Sequence, residues 1–307
     1  MAGRLAREVL DELGRLVPDS LLLQDESMSS HTSFKIGGPA DLLVLPSGIA
    51  DLKRVVQFCI RTGTPWFVMG NGTNLLVRDK GIRGVVIKMA GTLNHINLEG
   101  DRIAAGAGAL LRDVSVFAAQ HGLSGLEFAC GIPGTMGGAV VMNAGAYGGE
   151  MKDVVESVRL LSPGGEIRSV PASAMEFGYR KSVLQDSGDI ALEATLTLRR
   201  DDKGRIEATM RDFEEKRKAK QPLDVPSAGS VFRRPEGHFV GPLVEGAGLK
   251  GFRVGDAGVS GLHAGFIVNH GHATAGDVLL LIGHIQDTVF RRYGVRLEPE
   301  IKVVGEA

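Results

Sequence analysis

Glycines are the residues of this 307-residue chain whose density first suggests chemistry. From Gly131 to Glu150, seven of twenty residues are glycine, in Gly131-Ile132-Pro133-Gly134-Thr135-Met136-Gly137-Gly138-Ala139 and on through Asn143-Ala144-Gly145-Ala146-Tyr147-Gly148-Gly149. Glycine adds nothing to a core and loses the most conformational freedom on folding. Such a cluster therefore points to backbone at positive φ or pressed against a ligand, and a large, flat cofactor explains it. A second candidate is Gly70-Asn71-Gly72-Thr73-Asn74, fed by the short apolar run Trp66-Phe67-Val68-Met69. A strand entering such a loop can converge backbone N–H groups on phosphate oxygens. A tight hairpin turn serves the same residues, and the loop alone leaves both readings open. It is no Walker loop, because no Gly-Lys-Ser/Thr occurs, and Leu75 stands where a dinucleotide fingerprint needs its third glycine.

Other chemistry is weakly represented. His270 and His272 flank Gly271 with no cysteine or carboxylate at ligand spacing, so they read as loop residues and no metal is expected. Cys59 and Cys130 are far apart, which argues against a disulfide framework and for a reducing compartment. Lys and Arg total 35 against 36 Asp and Glu, so the formal net charge of −1 gives no general attraction to nucleic acid or an anionic membrane. No apolar run reaches membrane-spanning length, and the N-terminus lacks a signal peptide's apolar core. A cytoplasmic protein is expected.

The elements that must position the loops follow from periodicity. Leu5, Val9, Leu10, Leu13 and Leu16 predict an amphipathic helix over residues 3–17, ended by Pro18. The spacing predicts further helices over 49–62, with Cys59 on the apolar side, and over 111–120. Strands are predicted at 42–45, 84–88 and 102–105, with a hairpin of 154–161 and 166–170 and a long strand over 190–198. The charged stretch 205–220 reads as a solvated helix, and the change of composition there marks a domain boundary near residue 202. Thr274 with Asp277 three residues on caps a long helix that ends at Gly294, and a final strand is expected over 295–304.

The motifs HTSFKIGGPAD, GNGTNLLV, GIPGTMGGAVVMNAGAYGGE, FGYRKS, AGSVFRRP, GLKG, HAGFIVN and LEPEIKVVG, in that order, make the chain similar to the UDP-N-acetylenolpyruvoylglucosamine reductase family. The match covers nearly the whole chain. The glycine loops alone indicate only the wider vanillyl-alcohol-oxidase/p-cresol-methylhydroxylase type of flavoprotein, and the C-terminal motifs narrow it. The resemblance implies an α+β fold with a bipartite FAD-binding region and a C-terminal α+β substrate-binding domain. Residues 1–27 would be a helix and lead-in, 28–202 the FAD-binding domain and 203–307 the substrate domain. Only some fifty residues separate Arg180 from Ser230, so the chain looks like the shorter family type without the extra substrate loop.

The same resemblance implies NADPH-dependent reduction, through non-covalent FAD, of UDP-N-acetylglucosamine enolpyruvate to UDP-N-acetylmuramate, a step in peptidoglycan precursor synthesis. No protein partner is implied. Cofactor contacts fall on Gly70, Asn71, Gly72, Thr73, Asn74, Pro133, Gly134, Thr135, Gly138, Ala139, Asn143, Gly145 and Ala146. Tyr147, Tyr179, Arg233, Arg234 and Lys250 are expected at the substrate. Arg180, Ser230 and Glu300 match the catalytic positions: Arg180 to bind the carboxylate and stabilise enolate-like charge, Ser230 to donate a proton, and Glu300 to polarise the carboxylate. The chain departs from the pattern the resemblance implies at Gly258, where a Gln is expected, and at Leu262, where a Lys is expected, so it lacks those two side chains. The rival readings are a flavin-dependent oxidase or dehydrogenase of another small substrate and a binding protein without turnover.

Overall fold

The computed structural model describes residues 5–307. The fold is α+β and divides into two compact units, each assembled from segments distant in sequence. The first unit takes the chain up to Gln24, Leu42–Asn71 and Gly84–Arg217; the second takes Asp25–Asp41, Gly72–Arg83 and Lys218–Ala307.

In the first unit, helix α1 (Arg7–Leu16) buries Leu13 and stops at Val17, before Pro18. The expected helix began at residue 3, and residues 1–4 lie outside the described part. Helix α2 (Ile49–Thr62) buries Leu52, Val55, Val56, Phe58 and Cys59 on one face, and ends on Gly63 at φ 65°, a conformation that favours glycine. Strands Trp66–Met69 and Ile82–Lys88 run parallel, Trp66 opposite Val85. An antiparallel five-stranded sheet follows, in the order Ile167–Pro171, Val155–Leu161, Ile190–Thr197, Arg102–Gly106, Ile96–Glu99. Helices α3 (Leu111–Gln120) and α4 (Met136–Val141) share its core through Leu111, Val114, Met136, Val140, Val158 and Leu192.

Helix α5 (Lys203–Lys220) is polar almost all round, yet it belongs to the first unit as far as Arg217, so the compact units part later than residue 202. The reason is local docking. Ile206 and Met210, one turn apart, are buried with Ala119 and Cys130.

The second unit holds an antiparallel sheet in the order Ser227–Ser230, Phe266–Asn269, Ala257–Val259, Arg253–Val254. Helices α6 (Val240–Gly246) and α7 (Ala275–Tyr293) share its core through Leu243, Val244, Val278, Leu281 and Ile285. The Thr274–Asp277 capping box forms as expected, and Gly294 ends α7 at φ 69°. Asp79 extends that cap by accepting from the N–H groups of Ala275 (2.8 Å) and Gly276 (3.0 Å), which lack helical partners.

One of the two readings left open for the Gly70–Asn74 loop is excluded, and one expectation is corrected. Trp66–Met69 pairs with Ile82–Lys88, whereas Leu75–Val77 pairs in parallel with Lys302–Val304, so the loop from Gly70 to Asn74 is no hairpin turn. The final strand is only Lys302–Val304, not 295–304. Before it, the chain is held by single bonds: Arg233 N–H donates to Glu298 O (2.8 Å) and Glu300 N–H to Val231 O (2.7 Å). Pro299 between them has no N–H to extend a ladder. Among the described residues, no helix is long and apolar enough to cross a membrane.

Candidate active site

The glycine-rich stretch turns at Thr135, whose side chain caps α4 by accepting from Gly138 N–H at 3.3 Å. The two glycines behind that cap differ. A Cβ on Gly137 would stand 2.9 Å from Ala107 Cβ and 3.1 Å from Ala107 O, so Gly137 allows α4 to touch the turn that follows strand Arg102–Gly106. A Cβ on Gly138 would meet only Thr135 Oγ1 at 3.5 Å, leaving its other side open. The first-turn donors of α4 are already engaged, Met136 N–H by Ala109 O and Gly137 N–H by Ala107 O. Asn71 Nδ2 donates to Pro133 O at 3.0 Å, and a Cβ on Gly70 would run into Thr135 Oγ1. Two of the expected cofactor stretches are therefore packed against each other in the first unit. Gly145 packs against the chain itself, a Cβ there standing 2.7 Å from Glu150 Cβ and from Gly149 O, so it is the open flank of Gly138, beside the half-buried Gly134, that fits a flat ligand such as FAD.

Arg180 lies close by in the same unit. Tyr179 and Arg180 form the corners of a turn closed by reciprocal bonds between Gly178 and Lys181, N–H to O at 3.0 and 3.1 Å. Arg180 takes φ 54°, and its Nη2 donates to Gly145 O at 3.2 Å, beside Ala146 and Tyr147. Asn143 is fully buried. Its Nδ2 donates to Glu150 Oε2 (2.6 Å) and Gly178 O (2.9 Å), and its Oδ1 accepts from Lys152 N–H (2.9 Å). Its side chain is thus a brace, and its N–H is engaged by Val140 O at 3.2 Å.

Tyr147 stacks on Phe213 of α5 with ring centroids 4.4 Å apart. The two rings help line a cavity of about 300 Å³ with Glu127, Phe128, Arg205 and Ile206. Arg217, one turn beyond Phe213, donates to Gly131 O, and burial lowers its pKa below the usual guanidinium value. Phe213 and Arg217 were invisible in the sequence, where α5 reads as a solvated charged helix. No apolar period marks them.

In the second unit, Gly229 at φ 80° turns the chain so that Ser230 Oγ–H donates to Phe232 O at 3.2 Å. The Ser230–Phe232 segment lies beside Glu298–Glu300, with Phe232 bridging to Pro299. Ser230 and Glu300, seventy residues apart, are thereby brought onto adjacent segments. Asn74 ties in too: its Nδ2 donates to Glu300 O (3.2 Å) and its O accepts from Lys302 N–H (2.9 Å). Asn74 thus serves the backbone of Glu300 as well as its own loop. Arg233 has a buried Nε without a hydrogen-bond partner, the kind of donor an anionic ligand satisfies. Arg234 lies over the Phe239 ring at 3.9 Å, and Lys250 Nζ pairs with Glu245 at 2.9 Å. At Gly258 a Cβ would come 2.8 Å from His270 Nε2, so the histidine fills the space that a side chain at this position would need. Leu262 is half exposed.

An α+β unit carrying the glycine-rich stretch and the arginine turn, followed by a second α+β unit, is the make-up of an FAD-dependent oxidoreductase. Residues 40–170 match the family model for an FAD binding domain, and residues 221–304 the model for the C-terminal domain of UDP-N-acetylenolpyruvoylglucosamine reductase. The reductase of that name from Alkaliphilus oremlandii is 51% identical over 294 residues, 96% of this chain and 97% of its own. The one from Syntrophomonas wolfei is also 51% identical, over 96% and 99%. A solved UDP-N-acetylenolpyruvylglucosamine reductase from Thermus caldophilus superimposes with a TM-score of 0.80 at 38% identity, covering 92% of this chain and 98% of that one. The chain belongs to the UDP-N-acetylenolpyruvoylglucosamine reductase family.

Proposed function

We propose that the chain uses NADPH to reduce UDP-N-acetylglucosamine enolpyruvate to UDP-N-acetylmuramate, a cytoplasmic step in peptidoglycan precursor synthesis. The observation that carries this reading is that the likeness to reductases of that name runs through both units and leaves Arg180, Ser230 and Glu300 in their motifs. FAD, bound without a covalent link along Gly70–Asn74, Pro133–Ala139 and Gly145–Ala146, supplies the hydride-transfer chemistry. The functional division we propose is cofactor on 28–202 and nucleotide sugar on 203–307, with α5 the segment that packs with the first unit.

The chain's own residues manage charge and protons. Hydride arriving at one carbon of an enolpyruvyl double bond leaves negative charge on its neighbour and the attached carboxylate. Arg180, with a planar fork of donors held by its turn, binds that carboxylate and stabilises the charge. Glu300 polarises the carboxylate in protonated or water-bridged form, because two bare carboxylates repel. Ser230, whose hydroxyl donates to Phe232 O in the free protein, turns from that carbonyl to deliver its proton to carbon. The diphosphate falls to Arg233, with its unsatisfied Nε, and to Arg234 and Lys250. Tyr147 and Tyr179, each about half exposed, present rings to the substrate.

The test is spectroscopic. Purified protein should be yellow, bleach anaerobically with NADPH and regain colour on adding the enolpyruvyl sugar nucleotide. Bleaching without re-colouring would instead support an oxidase or dehydrogenase of another substrate, and a colourless protein would reject the assignment.

A further inference from the structure

Arg180 holds φ 54°, a region that residues with a Cβ rarely occupy unless their surroundings impose it. Here the surroundings can be named. Ser182 Oγ–H, fully buried, donates to Val141 O at 2.8 Å. Gln185 Nε2 donates to that same carbonyl at 3.1 Å and to Arg180 O at 3.0 Å, with Met142 Sδ at 3.5 Å. Val141 is the last residue of α4, the helix that starts one residue after Thr135. One carboxamide therefore joins the end of the helix behind the glycine-rich stretch to the main chain of the arginine. Asn143 holds the other side of the turn by donating to Gly178 O.

We propose that Gln185 is a positioning residue for the reaction: its amide clamps the Arg180 carbonyl to the end of α4 and so keeps the turn in the form that points the guanidinium along Gly145. The proposal rests on the reading of Arg180 as the carboxylate-binding group. Gln185 touches neither substrate nor cofactor in this scheme and works through Arg180 alone. Its backbone is anchored separately, because Leu184 is buried in the main core of the first unit, so the amide can be removed without dismantling the fold.

Gln185→Leu keeps the size and deletes both donors, and Gln185→Glu sets a carboxylate against two carbonyl oxygens. In flavin-free protein, amide hydrogen exchange at Lys181, whose N–H closes the turn on Gly178 O, should accelerate by on the order of tenfold in Gln185→Leu, with the melting temperature nearly unchanged. In flavin-loaded protein, reoxidation by the enolpyruvyl substrate should slow roughly ten- to a hundredfold, while reduction by NADPH stays near the parent rate. In an Arg180→Ala background the same substitution should have no further effect on reoxidation. Unchanged Lys181 exchange, parental reoxidation in Gln185→Leu beside a slow Arg180→Ala, or additive losses in the double variant would each overturn the positioning role. Parental reoxidation in Arg180→Ala itself would remove Arg180 from the mechanism and the proposal with it, an outcome distinct from the other three.

Discussion

Gly137 and Gly138 are neighbours in one short helix, and replacing each by alanine should have opposite effects. In the flavin-free protein, a methyl on Gly138 meets only Thr135 Oγ1 at an ordinary 3.5 Å, so sterics oppose nothing. Alanine in place of a helical glycine then stabilises by about 0.5–1 kcal/mol, which raises the melting temperature by roughly 1–4 °C. A methyl on Gly137 lies 2.9 Å from Ala107 Cβ, well inside contact distance, and that carbon is fixed in the core. Overpacking of this kind costs about 1–3 kcal/mol, more than the gain in helix propensity, so Gly137→Ala lowers stability by up to about 2 kcal/mol. Cofactor binding reverses the order of harm. On the open flank of Gly138 the added methyl meets FAD, and a misfit of about 1–3 kcal/mol weakens binding roughly five- to a hundredfold. Apo-protein melting and titration of FAD by fluorescence quenching separate the two quantities. An unaltered FAD affinity in Gly138→Ala, or an apo stability that drops as in Gly137→Ala, would refute the assignment of the open flank to the cofactor.

Ser230→Ala should leave flavin reduction by NADPH near the parent rate and slow reoxidation by the enolpyruvyl substrate by on the order of a hundredfold, read by anaerobic stopped-flow absorbance; equal slowing of both halves would mark Ser230 as structural. Burial pushes the Cys59 thiol up to about 12 and also raises Cys130, so an aromatic disulfide reagent should find no reactive thiol in native protein and two after denaturation. A single fast-reacting thiol in the native state would contradict that packing. Burial lowers the pKa of His263, whose Nδ1 accepts from Gly265 N–H at 3.0 Å. Below about pH 6.5 the unfolded chain therefore takes up a proton that the folded one refuses, and stability falls as pH drops. Urea midpoints between pH 7.5 and 5 should decline more steeply for the parent than for His263→Asn, and parallel curves would exclude this histidine as a source of the loss.

The sequence by itself determined whatever depends on neighbours in the chain. Helix α2, the Thr274–Asp277 cap of α7 and the end of that helix at Gly294 rest on local periodicity, capping and glycine's access to positive φ. Of the seven glycines from 131 to 149 only Gly148 takes a positive φ, so the stretch departs from the expectation of left-handed backbone and is glycine-rich mainly for close approach; the ordered motifs pointed to the family. Tertiary structure decided what depends on which distant segment arrives. Nothing within residues 66–77 says that the strands either side of the Gly70–Asn74 loop join different partners, one of them at residues 302–304. Nor does the charged pattern of α5 reveal that Ile206, Met210, Phe213 and Arg217 dock while the rest stays in water. Adjacent glycines 137 and 138 are chemically identical in the sequence, and only the position of Ala107 makes one a packing contact and the other an open flank. A hydrogen bond such as that of Gln185 to the Arg180 carbonyl has no sequence signature at all, because a carboxamide's partner is chosen by the closure of the chain around it and not by its spacing along it.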